Sequence, residues 1–276
     1  MASADAIGAG RAQAKHGKTM SKKKSRGSWL ERYSAILLTA ALIGGWQLLV
    51  PLAGLSTFVL PTPLEIASRI VSEFTLLAAN AYVTLFEVVS GFALSVLIGI
   101  PLALSIFYSR AFERAIYPIL VALQTVPKVA LAPLLVLYLG YGWAPKITLA
   151  FLISFFPIVI STVVGLQSLD KNLVSLVRSM GANEWQTFFK VRLPAALPSI
   201  FGGFKVAVSL AVIGAVIGEY VAAERGLGYL QLQANSLFDT TLNFATVVTI
   251  SFLGVVLYFV VDFAEHKVTY KRDDAK

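Results

Sequence analysis

Six long apolar runs constrain the fold of this chain more than any other feature of its sequence. Each is close to the roughly 20 residues that a helix needs to cross the hydrocarbon core of a bilayer. A backbone in lipid must satisfy its own polar groups, and an α-helix does so within a single segment. The sequence therefore predicts an all-α, polytopic membrane helix bundle with six transmembrane helices. The runs cover residues 34–50, 84–107, 115–139, 147–166, 200–221 and 244–263.

Composition excludes several classes of protein. Hydrophobic residues make up 57% of the chain and charged residues 14%, against about 25% charged residues in soluble domains, which excludes a soluble enzyme. The chain has no cysteine, so disulfides, thiolate metal sites and cysteine nucleophiles are excluded. Its two histidines, His16 and His266, lie near the termini. We therefore expect no metal site and no catalytic residues.

The distribution of positive charge predicts the orientation. Of the 23 lysines and arginines, 18 fall in the N-terminal segment, in two alternate loops and in the C-terminal tail. Loops on the cytoplasmic side carry such an excess. We therefore predict a multi-pass protein of the cytoplasmic (inner) membrane with both termini in the cytoplasm. The basic run at residues 22–26 is interpreted as a topology signal that touches anionic membrane lipid, and we expect no nucleic-acid partner.

Three segments follow from this arrangement. We predict a basic, disordered cytoplasmic tail over residues 1–33, a membrane domain over residues 34–266, and a cytoplasmic tail over residues 267–276.

Between the first two runs, residues 64–79 predict a short external helix that Pro63 starts, with Glu65 and Glu73 on its polar face.

The loop over residues 167–199 is amphipathic, which a plain connector would not be. Leu173, Leu176 and Met180 recur at helical spacing before Gly181, and a second short helix around Trp185 follows. This helix–glycine–helix elbow in the cytoplasm fits docking into the groove of a partner protein. The alternative is a pair of amphipathic helices that lie on the membrane surface.

Spacing within this loop resembles the coupling-loop motif of binding-protein-dependent ABC importer permeases. That motif is Glu-Ala-Ala, three residues, Gly, nine residues, Ile, any residue, Leu-Pro. Here Gly181, Leu193 and Pro194 match it, Val191 replaces the isoleucine, and Ser175-Leu176-Val177 stands at the triplet. The resemblance extends over residues 60–265, and it is to the branch of these permeases for sulfonates, taurine, nitrate and thiamine precursors. The segments that carry it outside the loop are Gly99-Ile100-Pro101, Val126-Pro127, Phe155-Phe156-Pro157 and Gly226-Leu227-Gly228-Tyr229.

The resemblance implies the partners and the mechanism. Two permease copies, expected to be identical, form the translocation path, two cytoplasmic ATPase subunits each receive an elbow, and a periplasmic binding protein delivers a small polar or anionic solute. The chain has no phosphate-binding loop, so ATP and magnesium are expected on the ATPase, and this chain is expected to bind no cofactor. The residues implied in docking are Ser175, Leu176, Val177, Met180, Gly181, Ala182, Trp185, Val191, Leu193 and Pro194.

Polar residues within the runs are candidates for the translocation path, because charge inside a membrane is costly. Lys128 follows Pro127 in the third run, where Pro127 and Pro133 are expected to open the helix. Lys128 either meets the substrate or forms a structural ion pair with Glu87 or Glu219. The candidate path residues are Gln124, Lys128, Ser209 and Glu219.

Other polar and small residues have structural interpretations. Lys205, about five residues into its run, is expected to snorkel to the interface, and Asp262 is expected to be solvated or paired. The Gly202-Gly203 pair and the Gly214-x-x-x-Gly218 spacing predict close helix packing.

An ion-gradient-driven secondary transporter is the competing function. Such a transporter needs a site for the coupling ion, usually carboxylates near the middle of the membrane. The carboxylates here fall near the ends of the runs, which favours the ATP-driven importer. No catalytic cluster supports a membrane-bound enzyme.

Overall fold

The structure is a computed structural model that describes residues 28–270. Contacts divide the chain into one unit up to Trp46 and a larger one from Gln47. The first helix, α1, covers Ser28–Leu52. Most of the predicted tail over residues 1–33 lies outside the described part, and its last six residues belong to α1. Residues 271–276 of the other predicted tail also lie outside it.

Within residues 28–270, four helices are long and apolar enough to cross a membrane, or five if a bent pair of helices is counted as one span. They are α3 (Phe74–Tyr108), α6 (Trp143–Gln167), the helical stretch Glu184–Ala222 and α11, which covers Thr240–Tyr270. Mean hydropathy reaches 2.2 to 2.4 over their most apolar windows. The first predicted run corresponds to a shorter apolar stretch, Ile36–Leu52. The predicted all-α membrane bundle is therefore confirmed.

The third predicted run is not one straight helix. Helix α4 (Arg110–Gln124) is followed by a 3₁₀ turn, Lys128–Leu131, and by the short helix α5 (Ala132–Leu139). The two parts are bent by 86° relative to each other. Proline has no amide hydrogen and disfavours helical geometry in the residue before it, so Pro127 ends the first part and Pro133 sits in the first turn of the second.

The predicted helix over residues 64–79 ends earlier than expected. Helix α2 covers Pro63–Ser72, and α3 begins at Phe74. Thr62 caps α2 in a reciprocal pair with Glu65, whose carboxylate accepts from the Thr62 amide at 2.7 Å. Glu73 leaves the helical conformation at φ −103° and ψ 23°. Residues 74–79 therefore belong to the long helix and not to the short one.

Helices α3 and α6 pack with α9 (Leu193–Ala222) to form the core of the larger unit. Small residues allow the close contact that the glycine spacing predicted. A Cβ atom on Gly214 would lie 2.7 Å from the Ala150 Cα atom, and one on Gly218 would lie 2.9 Å from the Lys146 Cα atom. Both glycines of the Gly214-x-x-x-Gly218 pattern therefore seat α9 directly against α6. Of the Gly202-Gly203 pair, only Gly203 has such a neighbour among the described residues.

Candidate functional site

An elbow of two short helices connects α6 to α9. Helix α7 covers Lys171–Ser179 and helix α8 covers Glu184–Thr187. Gly181, at φ +84°, lies between them. Its amide donates to the Arg178 carbonyl at 2.9 Å, and the Ala182 amide donates to the Val177 carbonyl at 3.3 Å. This is the Schellman arrangement that ends a helix on a left-handed residue, and it favours glycine at this position.

Both elbow helices are capped by their own side chains. Asp170 accepts from the Asn172 amide at 2.8 Å at the start of α7. Asn183 and Gln186 cap α8 reciprocally, at 2.8 and 3.1 Å. An ion pair between Arg178 and Glu184 links the two helices. The elbow is therefore a defined structure rather than a loose loop.

The elbow exposes large apolar side chains. The exposed fractions of Leu176, Met180 and Trp185 are 58%, 79% and 73%. The Trp185 ring stacks on that of Phe189, with centroids 5.5 Å apart and planes 3° apart. Of the predicted docking residues, Ser175, Leu176, Met180, Gly181 and Trp185 are exposed, while Val177, Ala182, Val191, Leu193 and Pro194 are half-buried. We call this exposed group, which lies on both sides of the glycine turn, the elbow surface.

The elbow continues into α9 without a break, which the sequence did not predict. A π-helical turn, Phe188–Arg192, joins α8 to α9, and the Leu193 amide donates to the Phe188 carbonyl. The described helical stretch runs from Glu184 to Ala222 despite Pro194 and Pro198. Leu193 and Phe188 pack against a small cluster formed by Leu166, Ala196 and Ile200. The elbow is thereby attached firmly to the core helices.

The bend between α4 and α5 places two of the candidate path residues together. The Lys128 ammonium donates to the Gln124 carbonyl at 3.0 Å and lies 4.8 Å from the centre of the Phe156 ring. Within residues 28–270 Lys128 makes no ion pair with Glu87 or Glu219, because Glu87 pairs with Lys146 and Glu219 accepts from Thr84 and the Gly228 amide. Ser209, a third candidate, donates to the Lys205 carbonyl of its own helix at 3.1 Å.

Lys205, which is expected to snorkel to the interface, pairs with two carboxylates. Its ammonium lies 2.5 Å from an Asp262 oxygen and 2.6 Å from a Glu265 oxygen, both on α11. Two carboxylates one turn apart on α11 therefore hold the ammonium in place. Asp262 is paired with Lys205, which is one of the two alternatives predicted for it.

Glu219, the fourth candidate, is buried at the opposite end of α9, beside helix α10 (Leu227–Ser236). Its carboxylate accepts from the Thr84 hydroxyl at 2.7 Å and from the Gly228 amide at 2.5 Å. The Thr84 oxygen accepts from the Leu227 amide at 2.8 Å, and Asn80 accepts from the Gly226 amide at 2.8 Å. Three side chains from two helices thus hold three consecutive amides. We call this set of contacts the α10 latch.

The latch depends on its two glycines. Gly226 has φ +119°, and a Cβ atom there would lie 2.1 Å from a Glu219 oxygen. A Cβ atom on Gly228 would lie 2.7 Å from the Val216 carbonyl oxygen. The Gly-Leu-Gly sequence therefore leaves the space that the buried carboxylate occupies.

A buried ion pair lies beside the latch. Lys146 of α6 pairs with Glu87 of α3, and their exposed fractions are 5% and 0%. Burial of one such charge alone would cost several kcal/mol, so each holds the other in place. The Lys146 ammonium also lies 5.0 Å from the centre of the Trp143 ring. Two buried carboxylates and one ammonium therefore connect α3, α6 and α9 at this end.

Sequence reasoning missed the partners in this network. Glu219 was singled out, but Asn80, Thr84 and Lys146 were not. Lys146 stands directly before the fourth run, and this position did not indicate a buried partner. The Gly226-Leu227-Gly228 sequence carried a signal, since paired glycines indicate close backbone approach, but it did not identify what approaches.

Comparisons with known proteins agree with this geometry. The family described as "Binding-protein-dependent transport system inner membrane component" matches residues 95–269. A riboflavin transport system permease protein of Chloroflexus aurantiacus is 39% identical over 77% of this chain and 80% of its own length. A formylaminopyrimidine transport permease protein of Halalkalibacterium halodurans is 38% identical over 76% of this chain and 84% of its own length.

The fold is also similar to that of a solved transporter. A chain of the MetNI methionine ABC transporter in an inward-facing conformation superposes with a TM-score of 0.60 at 21% identity, covering 72% of this chain and 97% of that one. At this identity the likeness concerns the fold alone. Family, relatives and fold agree, and the chain belongs to the inner-membrane components of binding-protein-dependent transport systems, as an ABC transporter permease.

Proposed function

We propose that this permease couples ATP hydrolysis on separate cytoplasmic ATPase subunits to solute import through its elbow surface. The observation that carries the proposal is the exposure of Leu176, Met180 and Trp185 on capped helices next to the membrane core. Exposed apolar groups of this kind on a rigid support are typical of a docking surface. ATP and magnesium bind the ATPase, and this chain needs no cofactor of its own.

Helix α9 gives the coupling a physical route. It joins the elbow at one end and carries Glu219 of the α10 latch near the other. Its 30 residues span about 45 Å at the helical rise of about 1.5 Å per residue. A displacement of the docked elbow therefore moves Glu219 relative to α3, and the latch contacts between these helices change with it.

The proposed orientation places the elbow in the cytoplasm and the α10 end outside. The positive-inside rule supports it, because Lys190 and Arg192 lie at the elbow and both terminal segments are basic. The α10 end then faces a periplasmic binding protein. The exposed apolar side chains of the long helices, such as Leu97 and Phe259, contact membrane lipid or a second, identical copy of the chain.

The proposed cargo is a small polar solute. Two relatives at 38% and 39% identity are permeases for formylaminopyrimidine and riboflavin, which supports a vitamin or vitamin precursor over a sulfonate or nitrate-like anion. Gln124, Lys128, Ser209 and Glu219 remain the proposed path residues. Lys128 carries the most weight among them, because it is half-buried at the bend and, in the part of the chain that the structure describes, donates only to a carbonyl of its own segment.

Copurification tests the docking role. The full chain is expressed with the ATPase encoded beside it, and Met180→Asp and Trp185→Ala variants are compared with wild type. We expect at least a tenfold loss of bound ATPase, since truncating a central interface residue costs about 2 kcal/mol or more. Phe112→Ala is the matched control, an exposed aromatic at the start of α4 and outside the elbow. Equal ATPase recovery from all variants would remove the support for docking.

A further inference from the structure

Two cavities open at the α10 end of the bundle, with volumes of about 610 and 660 Å³. Both are lined by the same five residues, Val83, Trp143, Glu224, Arg225 and Tyr229. Each volume lies within the range of small-molecule sites, about 300 to 1,000 Å³. We call them the α10 cavities. None of the predicted path residues lines either of them.

Contacts fix the Trp143 ring and the backbone next to Tyr229, the two shared aromatic residues. Phe86 contacts the Trp143 ring edge to face, with centroids 5.0 Å apart, and the Lys146 ammonium lies 5.0 Å from the centre of the same ring. Lys146 is itself fixed by Glu87. Tyr229 directly follows Gly228, whose amide is held by Glu219. The Trp143 ring and the backbone that carries Tyr229 are therefore positioned before any ligand arrives, which lowers the cost of binding.

A further tyrosine at the first cavity is also held. The Tyr220 hydroxyl donates to the Gln231 side-chain oxygen at 2.6 Å. Aromatic residues also collect at membrane interfaces without any ligand. Tyr220 is held by a hydrogen bond and Trp143 contacts a lysine that a buried ion pair fixes, and a lipid-facing belt requires neither contact.

Arg225 and Glu224 are charged residues that line both cavities together with Trp143 and Tyr229. Both are exposed, and within residues 28–270 neither makes an ion pair or a side-chain hydrogen bond. Arg69, Lys146 and Lys205, by contrast, each pair with a carboxylate. Arg225 directly precedes Gly226, whose amide is held by Asn80. The latch therefore presents a free guanidinium and a free carboxylate beside Trp143 and Tyr229.

We propose that the α10 cavities form a receiving site for a planar, nitrogen-containing ring solute. Trp143 and Tyr229 stack on the ring, the Arg225 guanidinium donates to its carbonyl or anionic oxygens, and Glu224 accepts from its N–H groups. Stacking suits flat rings, and an arginine fork suits paired oxygen acceptors. An acyclic anion would use Arg225 but gain nothing from the aromatic pair. This inference rests on the proposed import function and narrows its substrate class.

Equilibrium binding to the full chain in complex with its ATPase, in lipid nanodiscs and without binding protein, tests the site. The probes are riboflavin, a formylaminopyrimidine and ethanesulfonate. We expect one of the ring probes to bind and ethanesulfonate to bind at least tenfold more weakly. Trp143→Leu and Tyr229→Leu each weaken ring binding at least tenfold, and Arg225→Met weakens it severalfold. Phe58→Leu, an exposed aromatic outside both cavities, leaves binding unchanged.

The outcomes separate this inference from the importer function. Binding of neither ring probe, preference for ethanesulfonate, or equal effects of Phe58→Leu and Trp143→Leu would overturn the receiving site. ATP-driven uptake and ATPase recovery of the wild-type complex, measured in the same preparation, report on the importer function independently. Retained ATPase recovery in the Trp143→Leu and Tyr229→Leu complexes shows that these variants are folded.

Discussion

Replacing Thr84 with valine tests the α10 latch at one buried hydroxyl. Valine has the same shape as threonine but no hydroxyl. The Thr84 hydroxyl donates to Glu219 at 2.7 Å and accepts from the Leu227 amide at 2.8 Å, and valine can do neither. Thr84 is completely buried, so no water replaces either contact. A lost bond to a carboxylate is worth about 1.5 to 3 kcal/mol and an orphaned buried amide about 1 to 3 kcal/mol. The two losses are coupled because one hydroxyl makes both bonds, and we expect Thr84→Val to destabilise the latch by about 3 kcal/mol in total.

Hydrogen exchange of the amides of residues 226–228 reads this loss directly. A loss of about 3 kcal/mol corresponds to roughly 150-fold faster exchange, at 1.4 kcal/mol per tenfold. Thr246→Val is the matched control. Thr246 is equally buried, but its hydroxyl donates only to the Leu242 carbonyl of its own helix, at 2.8 Å. Unchanged exchange in Thr84→Val, or equal acceleration in Thr246→Val, would refute the assignment of these contacts as a latch.

Three further predictions address the core, the elbow and the bend. Lys146→Met leaves the Glu87 charge buried and unpaired, and we expect about 3 to 5 kcal/mol of destabilisation, seen as a lower unfolding temperature in detergent. Gly218→Leu drives a side chain into the Lys146 backbone, so we expect size-exclusion chromatography to show a loss of monodisperse protein. Gly202→Leu is the control and is expected to be tolerated, because Gly202 has open space around it. Lys128→Ala is expected to lower uptake at least tenfold with ATPase binding unchanged, and normal uptake would exclude Lys128 from the path.

Much of the fold follows from local chemistry that a single sequence displays. Apolar runs must form helices in lipid, which placed α3, α6, α9 and α11. The Gly214-x-x-x-Gly218 spacing predicted a packing face, and the Gly181 position predicted the turn of the elbow, because each depends only on short-range spacing. The prolines of the third run predicted a break in the helix but not the angle of the bend. That angle, 86°, is set by what the two halves pack against.

The polar network could not be predicted in the same way. Lys146 pairs with Glu87 across 59 positions of sequence, and Thr84 meets Glu219 across 135. Which buried charge finds which partner depends on helix rotation and register, and hydrophobic pattern alone does not fix either. Lys205 shows the same limit, because its two carboxylates come from a helix much later in the chain.

ATP-driven uptake with an altered elbow tests the central claim most directly. Gly181→Pro removes the amide that bonds Arg178 and forbids the left-handed φ of +84°, while the long helices stay untouched. The full chain, its ATPase and its binding protein are reconstituted in proteoliposomes, and ATP hydrolysis and uptake are measured together. The account predicts that the variant assembles in the membrane but loses uptake and the stimulation of hydrolysis by loaded binding protein. Wild-type uptake by Gly181→Pro, or uptake driven by an ion gradient without the ATPase, would contradict it.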